Sequence, residues 1–189
     1  PPGLSLCEAD IQAELDRRMV KEKMVDISVS LEKAGAKGIV ICSNTMHLIA
    51  EDLQDNINIP IINVIDATAE EIQKNMIKSI GLLGTKFTME RDFYKKRLES
   101  KYGLKVLVPD HEDIELINDI IYKELAQGKV YLNSKKEIKR IVEKLVIDGA
   151  EGIILGCTEL PMIIDPNETD LPLFDTLKIH MNKAMEFSL

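Results

Sequence analysis

Six short apolar runs alternate with stretches of helical periodicity, and that alternation leaves few folds open to this chain. The runs are "GIVIC" (38–42), "IPIINVI" (59–65), "SIGLLG" (79–84), "LKVLVP" (104–109), "GIILGC" (152–157) and "LPLF" (171–174). Each is almost continuously hydrophobic, the pattern of a strand buried on both faces. Between them, apolar residues recur at helical spacing over 8–34, 44–56, 67–77, 88–101, 111–127, 134–148 and 175–187. Strand and helix in turn predict an α/β protein with parallel sheets. Gly35, Gly103 and Gly149 stand where helices end and a left-handed cap is expected. Hydrophobic residues make up 45% of the 189 residues, and Trp is absent, so the core is expected to be built from Ile, Leu, Val and Met.

The chain also repeats itself. "AGAKGIVICSNT" (34–45) matches "DGAEGIILGCTE" (148–159), and "IPIINVIDAT" (59–68) matches "LPLFDT" (171–176). Gly35 and Gly149 lie 114 positions apart, Cys42 and Cys157 115. Two similar Rossmann-like α/β/α halves are therefore expected: a first over 1–78 plus 174–189, and a second over 79–173. The second half opens with the strand and loop of "SIGLLGTKFTMERDFYKKRL" (79–98). Its counterpart would fall about 35 residues before Pro1, so the leading strand of the first half is expected to lie in an N-terminal segment missing from this chain.

Several classes of function are disfavoured. The net charge of -8 does not suit non-specific nucleic-acid binding. The basic runs "RLESK" and "SKKEIKR" are laced with acids at helical spacing and read as solvated helix faces. No stretch approaches the roughly 18 apolar residues of a membrane span, and no signal peptide is visible. Three widely spaced cysteines do not form a disulfide framework or a zinc site, so cytoplasmic thiols and no metal are expected.

Cys42 and Cys157 each stand at the carboxyl end of a predicted strand, just before a predicted helix. That edge of an open α/β sheet is where ligands bind. A helix N-terminus there is expected to lower the thiol pKa toward neutrality. The neighbours Ser43, Asn44 and Thr45, and Thr158 and Glu159, are small or polar groups that cap helices or hold a carboxylate. If the halves face each other, the two thiols flank one cleft from opposite sides. One can then remove a proton from a carbon while the other returns one to the far face.

"CSNTMH" (42–47) together with "GCTEL" (156–160) resembles the aspartate/glutamate racemase superfamily, specifically its aspartate racemase branch with the broad-specificity amino-acid racemases. "SIGLLGTKFTM" and "LPLFDTLKIH" resemble the same branch, and the similarity runs from about 27 to 187. Glutamate racemases carry a His and an aromatic residue where Glu159 and Leu160 stand here. The resemblance implies cofactor-independent racemisation of an amino acid, aspartate first, without pyridoxal phosphate. It implies Cys42 and Cys157 as the catalytic pair, Ser43, Asn44, Thr45, Thr158 and Glu159 as substrate contacts, and Thr85 as a further carboxylate contact, with Thr88 a weaker one. It also implies a cytoplasmic homodimer. Residues 1–26 match the family poorly, and its Gly-Gly-Met type loop has no counterpart. Two other readings stay open: an inactive relative binding a small dicarboxylate, and a related two-cysteine isomerase.

The remaining candidates have plain readings. Cys7 has no repeat mate and reads as incidental. His47 either packs or tunes Cys42, and His180 either lies near the site or packs in the terminal helix. Asp66 and Asp175 are expected to cap the helices that follow them.

Overall fold

In the computed structural model, which describes residues 6–166 and 169–189, the chain forms two units. One comprises Pro1–Val40 with Ile49–Ile61, the other Ile41–Leu48 with Ile62–Leu189.

In the first unit, helix α1 (Leu6–Lys33) ends at Gly35, whose φ of 96° closes the helix as predicted. Cys7 lies on α1, and its side chain is outside those described. The short strand β1 (Ile39–Val40) joins β2 (Ile61–Ile62) in a two-stranded sheet, with the Ile39 amide donating to Pro60 at 2.9 Å. Glu32 accepts from the amides of Asn58 and Ile59 and ties the end of α1 to the approach of β2. Helix α2 (Ala50–Gln54) packs on α1.

The second unit is a four-stranded parallel sheet in the order β4-β3-β5-β6: β3 (Ser79–Leu83), β4 (Lys105–Leu107), β5 (Ile153–Leu155) and β6 (Leu173–Asp175). Its helices are α3 (Val64–Lys74), α4 (Lys86–Glu90), α5 (Asp92–Tyr102), α6 (His111–Lys123), α7 (Leu132–Ile147) and α8 (Thr176–Ser188). The middles of the strands are apolar because both faces are covered. Ile153 and Leu155 enter one core with Leu83, Ile117 and Ile141, whereas Ile154 enters the other with Ile80, Leu82, Leu98 and Phe174. That alternation is the period of two expected of any strand. The α/β class with parallel strands is as the sequence predicts.

Two predicted helices differ in detail. The stretch 44–56 is a 3-10 turn at Thr45–Ile49 followed by α2. The stretch 88–101 is broken at Arg91, whose extended backbone (ψ 141°) separates α4 from α5. Asp175 caps α8 as expected, accepting from the Lys178 amide at 3.1 Å. Asp66 does not cap α3. Asn63 does, accepting from the amides of Ile65 and Asp66, which leaves the Asp66 carboxylate to pair with Arg97 at 2.6 and 2.9 Å.

Candidate active site

The carboxyl ends of β3, β5 and β6 bring the chemistry of the second unit together. β5 ends at Leu155, and Gly156 donates its amide to Leu83 at 2.7 Å. A side chain at 156 would stand 2.7 Å from that same carbonyl, so only glycine lets the backbones approach this closely. The chain then turns out of the sheet at Cys157 and Thr158, and a single 3-10 turn (Leu160–Met162) follows. Past the end of β3, Thr85 caps α4 by accepting from the Thr88 amide at 3.4 Å. The segment Ile41–Leu48 supplies the other wall: the Ser43 amide donates to Ile41, and the 3-10 turn begins at Thr45.

One pocket of about 210 Å³ is lined by Cys42, Ser43, Asn44 and Thr45, by Thr85, and by Cys157, Thr158 and Glu159. All eight residues singled out from the sequence therefore meet in one place. Ile121, Tyr122 and Ala126, at and beyond the end of α6, complete the wall and carried no motif to betray them. The hydroxyls of Thr45 and Thr85 lie 3.3 Å apart, so the two threonines act from one patch of the wall. Thr88 is fully buried within α4, bonded to Thr85, and is not among the pocket's lining residues. Larger cavities of about 470 and 590 Å³ lie beside α8 and α7 respectively and contain no cysteine.

The two thiols differ. Cys42 is exposed and Cys157 is buried. The Cys157 thiol donates to Glu159 at 2.8 Å, and the Thr158 hydroxyl donates to the same carboxylate oxygen at 2.7 Å. Burial, and then the adjacent carboxylate, push the Cys157 thiol up to about 12. This reverses the lowering expected from a helix N-terminus. A one-turn 3-10 segment has little dipole to offer, and the nearest charge is negative. Burial works to raise Glu159 as well, but the bonds from Cys157 and Thr158 outweigh it and hold the carboxyl below its usual range. Glu159 is thus an anion at neutral pH, set against a protonated thiol.

His47 and His180 both pack. His47 is buried; its Nδ1–H donates to the Ser43 carbonyl at 2.8 Å and its Nε2 accepts from the Val64 amide at 3.0 Å. A carbonyl can only accept and an amide only donate, so the neutral tautomer is fixed and neither nitrogen is left to shuttle protons. Burial pushes His47 down to about 4. His180 meets it edge to face, with ring centroids 5.6 Å apart, and donates from Nε2 to the Ile62 carbonyl at 2.6 Å. His180 also borders a small cleft of about 20 Å³ alongside Cys42, Ser43 and Thr158, so it does lie near the site.

Asn44 is more deeply engaged than a simple ligand group. Its Nδ2 donates to the Thr176 hydroxyl at 3.0 Å and its Oδ1 accepts from Tyr94 at 3.4 Å, all three residues being buried. Tyr94 carried no signal in the sequence. Thr176 lay in the recognised "LPLFDT" echo, but only its neighbour Asp175 was read from it. Among the described residues, no three His, Cys, Asp or Glu side chains are grouped to hold a metal ion, and no helix is long and apolar enough to cross a membrane.

A family model described as Asp/Glu/hydantoin racemase matches residues 4–184. An aspartate racemase homologue from Pyrococcus horikoshii OT3, known from its crystal structure, aligns with a TM-score of 0.83 at 41% identity, over 96% of this chain and 79% of that one. The broad-specificity amino-acid racemase RacX of Bacillus subtilis (strain 168) is 25% identical over 162 residues, 86% of this chain and 69% of its own length. A glutamate racemase of Shewanella woodyi is 28% identical over 140 residues, 74% of this chain, so the chain spans about half of that relative's length (51%).

Proposed function

The chain belongs to the Asp/Glu/hydantoin racemase family, and from that premise we propose that it is a racemase of amino acids that needs no pyridoxal phosphate, with aspartate the first substrate to test. The observation that carries the reading is the shared pocket: two cysteines 115 positions apart in sequence line one small cavity with the hydroxyl and amide groups that would hold a carboxylate and an ammonium. In the proposed reaction, one cysteine thiolate takes the α-proton and the other cysteine's thiol delivers its own proton to the opposite face. The enzyme is left with the two protonation states exchanged, and the reverse reaction or exchange with water restores them. One thiol must begin ionised and one protonated. Cys157, held protonated by burial and Glu159, is assigned the acid in the resting enzyme, and Cys42 the base. Ser43, Thr45, Thr85 and Thr158 are assigned to the substrate's carboxylate and ammonium.

Packing of α8 on α3 and the bond from His180 to Ile62 support grouping 174–189 with the first repeat half. The halves proposed are 1–78 plus 174–189 and 79–173. A cytoplasmic homodimer completes the proposal; sedimentation of the purified protein tests the dimer.

The test of the reaction is direct. With L- or D-aspartate in heavy water, deuterium should enter at the α-carbon while the enantiomers interconvert, with no pyridoxal phosphate added. Cys42→Ser and Cys157→Ser should each abolish interconversion. A single variant with near-normal turnover would rule out the two-thiol scheme, and no exchange with any amino acid would rule out a racemase.

A further inference from the structure

The two cysteines sit on segments 115 positions apart in sequence, yet their separation must be right to a fraction of an ångström for a two-base proton transfer. A buried chain of side-chain hydrogen bonds links them. The Leu155 carbonyl, two residues before Cys157, accepts from the Thr176 hydroxyl at 2.8 Å. Since that hydroxyl's only proton goes to the carbonyl, its oxygen is the acceptor of the Asn44 Nδ2–H bond at 3.0 Å. Asn44 lies two residues after Cys42. The orientation of its amide is therefore settled: nitrogen toward Thr176, oxygen toward Tyr94, whose hydroxyl donates at 3.4 Å. Thr176 and Tyr94 are fully buried and Asn44 nearly so, so water does not compete for these bonds.

We propose that Thr176 is a positioning residue for racemisation, its single hydroxyl bridging Asn44 and Leu155 so that the Cys42 and Cys157 segments are held in register. Thr176 is not among the residues lining the 210 Å³ pocket, and it borders the small cleft beside Cys42. The second bond on Asn44, from Tyr94 in α5, keeps the amide from rotating away. The inference rests on the proposed racemase reading, since register of the two thiols matters only if both act on one carbon.

The experiment compares Thr176→Val, which keeps the shape and removes the hydroxyl, with Thr176→Ser, which keeps the hydroxyl. A displacement of about 1 Å is worth on the order of a hundredfold in rate. Thr176→Val is expected to lower kcat by about tenfold to a hundredfold with KM changed less than threefold, and Thr176→Ser to restore kcat. Thr176→Val within twofold of wild type, or both variants equally impaired, would overturn the role. Should the valine variant not fold, Tyr94→Phe loosens the same amide from its other side, and it must show the same loss confined to kcat. The bridge itself is read without turnover, from the Asn44 side-chain amide signals in nitrogen-edited NMR spectra. Slow solvent exchange is expected in wild type and Thr176→Ser, and fast exchange in Thr176→Val; fast exchange in wild type would refute the bridge. Wild-type protein with a protected amide and no racemisation would overturn the catalytic reading, and with it the positioning role, while the bridge itself stands.

Discussion

Replacing Glu159 by Gln tests the electrostatics of the site at its most informative point. The Cys157 thiol is raised from an ordinary 9.0 to about 12, a preference for the protonated form of about 4 kcal/mol. Burial is the larger cause and Glu159 the next. Glutamine keeps the size and removes the charge. It leaves the burial in place and turns the acceptor of the thiol proton into a group that can also donate to a thiolate. Glu159→Gln should therefore lower the Cys157 pKa but leave it above the ordinary value. Reaction with a neutral disulfide reagent reads this, because the thiolate is the attacking species. For each pH unit by which the pKa falls, the thiolate fraction rises tenfold at fixed pH. The thiolate's own reactivity falls with its basicity, so the net gain is about three- to fourfold. In a Cys7→Ser background, peptide mapping at pH 8.5 after short exposures gives the rates of Cys42 and Cys157 separately. Cys157 should react about threefold faster or more in Glu159→Gln, with Cys42 serving as the internal control. The alkaline limb of the kcat/KM profile should move to lower pH with it. An unchanged or slower Cys157 alongside an unchanged Cys42 would refute the claim that the carboxylate holds the thiol protonated.

Further outcomes follow from packing and titration. His47 is neutral when folded down to about pH 4, whereas in the unfolded chain it takes up a proton near 6.5. Between those values the unfolded state binds the extra proton, so stability present above 6.5 should fall by about 3 kcal/mol as the pH drops to 4. Urea unfolding across that range checks it, and His47→Gln should flatten the slope. Gly156→Ala places a methyl 2.7 Å from the Leu83 carbonyl and should cost about 1–3 kcal/mol in thermal or urea unfolding, with a fall in kcat because Cys157 is the next residue. Asp66→Asn removes the charge that pairs with Arg97 and Lys101 and should cost about 1–3 kcal/mol of stability while leaving KM unchanged.

What the sequence displayed and what it hid divide along physical lines. Buried parallel strands read as continuous apolar runs, and glycines with φ near 100° read as helix ends, because each is enforced locally. The eight pocket residues were legible because two of the motifs repeat and a third, at Thr85, follows a strand end. Asn63 caps α3 because the helix begins at Val64, one residue later, which places Asp66 inside the first turn, where it pairs with Arg97, 31 positions on. Asn44's buried partners are 50 and 132 positions away, beyond any local pattern. The direction of the Cys157 pKa departs from the sequence expectation for a related reason. A strand end followed by polar residues suggested a helix, but "LPM" forms only one 3-10 turn.

The repeat predicts two equivalent thiols, and the structure makes them unequal, first in burial and then at one pair of matching positions. Two residues after Cys42 stands Asn44; two residues after Cys157 stands Glu159. The asparagine is neutral and turned away from its cysteine, spending its amide on Thr176 and Tyr94. The glutamate is an anion turned onto its cysteine and accepts the thiol proton at 2.8 Å. A two-base racemase cannot begin with both thiols protonated or both ionised, since one must take a proton while the other gives one. Symmetric surroundings would populate the productive arrangement only as one microstate among several. The carboxylate beside Cys157 favours a proton on that sulfur before substrate arrives, and Asn44 places no such charge beside Cys42. In the proposed reaction the near-symmetry of the backbone would serve the two faces of the carbon, and the broken symmetry at 44 and 159 the proton count. A Glu159→Gln enzyme that kept full turnover with an unmoved pH profile would show that this bias is not needed.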